Sequence, residues 1–276
     1  MEMQTIHIIS LLITGIGVGF ASGLLGVGGC FIMVPVQFWV LTSVGVDPTI
    51  AIRIAFGTNL AVVLPTAISG AIGHHRKKVV LWKAGIVLGL TGLIGAFTGG
   101  FIAAHISGNL LKIGFGLAIL GGAVRMLTAK PLKIEKEPVN NILTYIFWGF
   151  PLGIISGIIG IGGGVLMVPV MVIAMRFKMH QAVGTSTALM IFTSIGGISS
   201  YIVNGLNTSG LPAYSLGYVN LLQWILLAGT SVPMAQAGVR VAHRLPAKQL
   251  KYVFIAMMAY MGLKMIGVFG WLHLPI

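Results

Sequence analysis

The chain has 276 residues, of which 57% are hydrophobic and only 8% charged, with a formal net charge of +13. A soluble domain carries about 25% charged residues, so the composition excludes a soluble globular domain and indicates an all-α polytopic membrane protein. Runs of Leu, Ile, Val, Gly and Met longer than the roughly 20 residues a bilayer requires favour helices over a barrel of alternating strands. The basic residues sit mostly between the apolar runs, where positive-inside topology and anionic lipid headgroups account for them without a nucleic-acid partner. The single cysteine, Cys30, excludes an intrachain disulfide and a Cys-built metal site. No cofactor is expected.

In chain order, apolar segments run at 6–41, 49–73, 79–104, 109–128, 141–175, 181–204, 215–242 and 249–271. The first follows Glu2 without a basic leader and reads as part of the fold. The longest charged connection, at 130–140, separates two sets of four as a cytoplasmic linker, giving a first repeat at 1–129 and a second at 141–276. Duplication is written in the residues: Gly19 to Val36 and Gly153 to Val170 share ten of eighteen positions. Behind these copies, Ala55-Phe-Gly-Thr-Asn59 matches Ala182-Val-Gly-Thr-Ser186.

Loop charge orients the repeats. His74-His-Arg-Lys-Lys78 follows the second segment and Arg125, Lys130, Lys133 and Lys136 follow the fourth; Arg176 and Lys178 follow the fifth, and Arg240, Arg244 and Lys248 follow the seventh. The connections at 42–48, 105–109 and 205–214 carry no Lys or Arg. The positive-inside bias then runs segment two inward and its counterpart, segment six, outward, so the repeats are expected to be inverted, with the amino terminus outside. The fifth segment starts and ends beside cytoplasmic loops. A continuous helix over 6–41 would be about 54 Å long, too long for a hydrocarbon core of roughly 30 Å. Each repeat is therefore expected to open with a helical hairpin broken at its glycine run, followed by three transmembrane helices, with the two breaks facing each other in a protein-lined interior.

After each break a helix starts, near Gly29 and near Gly163. Its first N–H groups lack intrahelical partners and carry the positive end of the helix dipole, which suits a small anion. The candidate binding residues are Gly28, Gly29 and Cys30 in the first copy and Gly162, Gly163 and Gly164 in the second. Close helix packing is the competing explanation for such glycines, and it fits Gly15, Gly19 and Gly23 and also Gly85, Gly89 and Gly92 well. Neither run completes a nucleotide-binding G-x-G-x-x-G. Thr58, Asn59, Thr185 and Ser186 could complete an anion's shell, or bond back to their own helix or bridge to another. Gln37 and Gln236 invite the same question more weakly. Trp39, Trp82, Trp148, Trp224 and Trp271 read as interface anchors. All four acids, Glu2, Asp47, Glu135 and Glu137, fall in termini or loops, which disfavours a metal-cation permease or a carboxylate proton relay. No residue pattern supports catalysis.

The duplicated G-x-x-S-G-x-x-G-x-G-G-(G)-x-x-x-V-P pattern, the A-[FV]-G-T-[NS] after it and the basic loop after the second segment resemble the sulfite exporter TauE/SafE family of bacterial and archaeal membrane permeases. The resemblance spans nearly the whole chain. It implies a multi-pass plasma-membrane permease moving sulfite, thiosulfate, sulfoacetate or a related organosulfonate, and it carries over onto Gly26, Gly28, Gly29, Gly160, Gly162, Gly163, Gly164, Thr58 and Thr185. Cys30 departs from the triple glycine, and Asn59 stands where Ser is usual. Secondary transport by alternating access is the expected function; an anion-selective channel and a non-transporting scaffold or sensor are the alternatives. The expected partners are a small anionic substrate and the lipid bilayer, with homo-oligomerisation left open.

Overall fold

The computed structural model describes residues 4–25, 30–128, 138–241 and 247–268. Among these residues ten α-helices occur in this order: α1 Thr5–Leu25, α2 Cys30–Ser43, α3 Pro48–Arg76, α4 Trp82–His105, α5 Gly108–Thr128, α6 Ile142–Ile159, α7 Gly164–Ile173, α8 Met179–Gly205, α9 Leu221–Val241 and α10 Ala247–Ile266. Six of them, α1, α3, α4, α5, α6 and α8, are long and apolar enough to cross a membrane. Ile13, Leu90, Ile94, Leu117 and Phe147 expose broad apolar surface, as the lipid-facing side of such a protein requires. This is a multi-pass membrane protein.

The long segments at 6–41 and 141–175 are each two helices. Their ends return to the same side: the His7 imidazole meets the Ser43 hydroxyl at 3.0 Å and the Trp39 ring edge-on, while the Val139 amide donates to the Met175 carbonyl at 3.0 Å and Tyr145 packs on Phe177. α2 and α7 each carry a proline, Pro35 and Pro169.

Glycine stripes set the packing of the first helix of each hairpin. A Cβ at Gly15, Gly19 or Gly23 would overlap Leu227, Ser231 or Ala235 of α9, so α1 and α9 touch backbone to backbone and run parallel. Gly149, Gly153 and Gly157 of α6 bear the same relation to Leu88, Gly92 and Ala96 of α4. At the centre stand α3 and α8, which run antiparallel: Gly57 meets Tyr201, Leu60 meets Gly197, Gly70 meets Thr187 and His74 meets Gly184. Apart from a minority of residues at their ends and on one edge, both are buried, and their small Ala, Gly, Ser and Thr side chains permit that closeness. α3 starts where Pro48 takes the first helical position and the Asp47 carboxylate accepts the Thr49 and Ile50 amides. α4 also lies along α8, α9 along α3, and α5 pairs with α10.

Two expectations are corrected. The apolar run at 215–242 is not helical from its start: a two-residue β-hairpin, β1 Ser215–Leu216 and β2 Val219–Asn220, precedes α9. Gly217 has φ +54° and lies where a Cβ would overlap Ile202, and Asn220 turns the chain into the helix by accepting the Gln223 amide at 3.0 Å. Trp224 is not simply an interface anchor. Pro65 cannot donate to the Ala61 carbonyl, and the Trp224 indole N–H takes that acceptor at 2.9 Å. Most of the linker at 130–140 and Trp271 lie outside the described residues.

Candidate functional site

The break between α6 and α7 is a short stretch of left-handed backbone. Gly160, Gly162 and Gly163 have φ of +65°, +71° and +102°, values that side chains other than glycine rarely adopt. Space also excludes a side chain: a Cβ would meet Phe56 at Gly160, Val63 at Gly162 and Met167 at Gly163.

Side chains from the two central helices hold the carbonyl side of this loop. The Asn59 amide donates to the Gly160 carbonyl at 2.6 Å, the Thr193 hydroxyl to Gly162 at 3.0 Å and the buried Tyr201 hydroxyl to Gly157 at 3.0 Å. The N–H side is treated differently. Gly163 is the N-cap of α7 and provides no side-chain cap, so the first-turn amides and the positive end of a ten-residue helix begin in the protein interior.

One residue along α8 from the Thr193 that holds Gly162 lies an unsatisfied hydroxyl. Met190 and Gly197 of α8 face α3, packing with Val63 and Ala67 and with Leu60 respectively. Ser194 lies between them at helical spacing, level with the Val63 that meets Gly162. It is 0% exposed, and its Oγ has no hydrogen-bond partner among the described residues. Asn59 Oδ1 is buried and unpartnered in the same neighbourhood. An uncapped helix start and a buried hydroxyl in one seam can hold a small anion through neutral donors.

Of the residues expected from sequence, Asn59, Gly162, Gly163 and Gly164 come together here. Gly28 and Gly29 lie outside the described residues, while Cys30 opens α2 and is fully buried. Thr58 and Thr185 both accept backbone amides, from Asn220 at 2.8 Å and from Leu81 at 3.0 Å. Those donors stand at matching places, each directly before the helix that follows. Ser186 donates to the Val183 carbonyl at 2.8 Å. Thr185 and Ser186 precede Thr193 by about two helical turns, roughly 12 Å along α8, and so do not join the α6–α7 break. Gln236 donates to Ser69, whereas Gln37 is 0% exposed with neither amide atom partnered among the described residues.

Thr193, Ser194 and Tyr201 were missed. A signal for the first was present, since Thr66 and Thr193 occupy the same place in the two repeats; Thr66 meets Ser231 at 3.0 Å. No group of three or more His, Cys, Asp or Glu arranged to hold a metal occurs among the described residues.

The family model for the sulfite exporter TauE/SafE matches residues 11–265. Curated relatives include a probable membrane transporter protein of Methanocaldococcus jannaschii, 28% identical over 257 residues and covering 93% of this chain and 94% of that protein. One of Haemophilus influenzae is 28% identical over 262 residues, covering 94% and 97%. A third, of Xylella fastidiosa, is 36% identical over 173 residues, covering 61% and 64%. No solved structure matches the chain.

Proposed function

We propose, proceeding from a chain that belongs to the sulfite exporter TauE/SafE family, that this membrane transporter carries a small sulfur oxyanion (sulfite, thiosulfate, sulfoacetate or a related organosulfonate) by alternating access. The observation that carries the reading is the buried, uncapped start of α7 at Gly163 together with the Ser194 hydroxyl, unpartnered among the described residues and one residue from the Thr193 that holds Gly162. Backbone N–H groups and the helix dipole bind the anionic oxygens without a lysine or arginine at the site, and the hydroxyl adds one neutral donor. A neutral site of this kind releases its ligand readily, because binding does not have to break an ion pair.

The halves are inverted repeats at 1–129 and 141–276, joined by the cytoplasmic linker. The antiparallel crossing of α3 and α8 supports this, as does the exchange of partners by which α1 lies on α9 and α6 on α4. Such an arrangement gives each break a counterpart across a pseudo-two-fold axis between Val63 and Met190. The start of α2 at Cys30 then offers the second helix start. Val63, Met190 and Ser194 are almost fully buried, which favours a carrier with a closed state over a permanently open channel. Rocking of one packed unit against the other exposes the seam first to one side and then to the other.

The reading is tested by thermal stability in detergent against sulfite, thiosulfate, sulfoacetate, taurine, sulfate, nitrate and chloride at matched ionic strength. A ligand selective for the native state raises stability by mass action. A selective rise with a sulfur oxyanion that is lost in Gly163→Leu supports the assignment. Equal response to every anion, or to none, counts against it.

A further inference from the structure

Arg53 stands within the apolar sequence of α3, one turn before Phe56, the residue on which Gly160 rests. Its guanidinium is partly buried. One Nη donates to the Tyr218 hydroxyl at 3.2 Å, the other to the Ile106 carbonyl at 3.0 Å, and the buried Nε–H has no partner among the described residues. The Tyr218 ring lies 5.7 Å from the guanidinium carbon, and Tyr218 in turn accepts from Thr208 at 2.9 Å.

All of these partners are neutral. Asp47, the one carboxylate among the described residues, is spent on the first amides of its own helix. A guanidinium held inside a membrane-spanning helix without a counter-ion is costly, and such groups mark ion pathways. Nor is Arg53 remote from the break. Its partner Tyr218 donates its amide to the Tyr201 carbonyl at 3.1 Å, and the Tyr201 hydroxyl donates to the Gly157 and Ile158 carbonyls at the end of α6. The place equivalent to Arg53 in the second repeat is His180, so a basic side chain stands near the start of both central helices.

Resting on the anion-transporter reading above, we infer that Arg53 is a substrate-contacting residue of a second, peripheral anion subsite. It takes an oxyanion at the mouth where α3 begins, which the loop charges assign to the outside, and passes it inward along α3 past Phe56 and Gly160 to the start of α7 near Val63, about 15 Å along the helix. The ligand class is a small sulfur oxyanion with at least two oxygens free for the guanidinium edge, which matches carboxylate and phosphate geometry for the same reason. The subsite supplies the charge attraction that the neutral inner site lacks, so capture and release are divided between two places.

The test is initial-rate uptake of labelled sulfite and thiosulfate into proteoliposomes by the full-length protein and its Arg53→Gln, Arg53→Lys and Arg53→His variants. Detergent melting and gel filtration confirm that each variant is folded. The subsite predicts that Arg53→Gln raises KM about tenfold or more with maximal rate nearly unchanged. Arg53→Lys keeps most of the affinity, and Arg53→His gains a KM that falls as the imidazole protonates. It also predicts that the salt dependence of KM weakens in Arg53→Gln. A folded Arg53→Gln with wild-type KM overturns the subsite and leaves the transporter reading intact. Equal loss of maximal rate in Arg53→Gln and Arg53→Lys with KM unmoved assigns Arg53 a purely structural role, holding Tyr218 and Ile106, and also overturns it. Absence of saturable uptake by the wild-type protein overturns the transporter reading, and the subsite with it.

Discussion

Thr193 and Ser194 are adjacent on α8, one bonded to the break and the other unpartnered among the described residues, so support of the break and the proposed ligand contact can be tested separately. Thr193 donates to the Gly162 carbonyl, so Thr193→Val should lower stability by about 1 kcal/mol or more and shift the melting temperature down. Ser194 gives nothing to the fold that is visible among the described residues. Ser194→Ala should therefore leave the melt within experimental scatter and abolish or weaken the stabilisation by sulfite. Gly163→Ala faces a φ of +102°, a strain of about 1–2 kcal/mol, and should lose ligand response at a modest cost in melting temperature. The Gly162 and Gly163 positions were legible because consecutive glycines in an apolar repeat point to irregular backbone. Thr193 and Ser194 were not, because hydroxyls in apolar helices most often bond back to their own turn, as Thr66, Thr91 and Thr230 partly do.

Among elements, the glycine-striped helices carry matching loads. Gly19 rests on Ser231 of α9 and Gly153 on Gly92 of α4, each too close for any side chain. Gly19→Val and Gly153→Val should each destabilise by about 1–3 kcal/mol, measured by melting in detergent, and a large effect at only one would mean the two contacts are not equivalent. Trp224→Phe strands the Ala61 carbonyl at the Pro65 kink and should cost about 1–3 kcal/mol. Helix starts and ends followed closely from Asp47-Pro48, from the basic loop after α3 and from the glycine runs. The β1–β2 hairpin escaped notice because Tyr214 to Asn220 adjoins an apolar helix and its alternation is too short to distinguish from it. The role of Trp224 escaped for a different reason: an indole one turn past the hairpin passes for an interface anchor, and its partner exists only when α3 and α9 are packed.

Over the whole molecule, the reading depends on two halves of opposite direction around one buried seam. Duplication was plain from the matched glycine motifs and from Ala55-Phe-Gly-Thr-Asn59 against Ala182-Val-Gly-Thr-Ser186, while direction came only from loop charge, because the two halves give no other sign of orientation in a one-dimensional string. Cysteines placed singly at Met3 and at Lys77 check it with an impermeant thiol reagent: the account expects Met3 to label from outside and Lys77 from inside. Labelling of both from one side contradicts the inverted arrangement. The central claim is tested most directly by counterflow of labelled sulfite in proteoliposomes preloaded with unlabelled sulfite. Saturable counterflow that disappears in Gly163→Leu, while that variant still folds, is the result expected of a carrier. Ohmic sulfite currents without counterflow, or no sulfite movement in either assay, would contradict it.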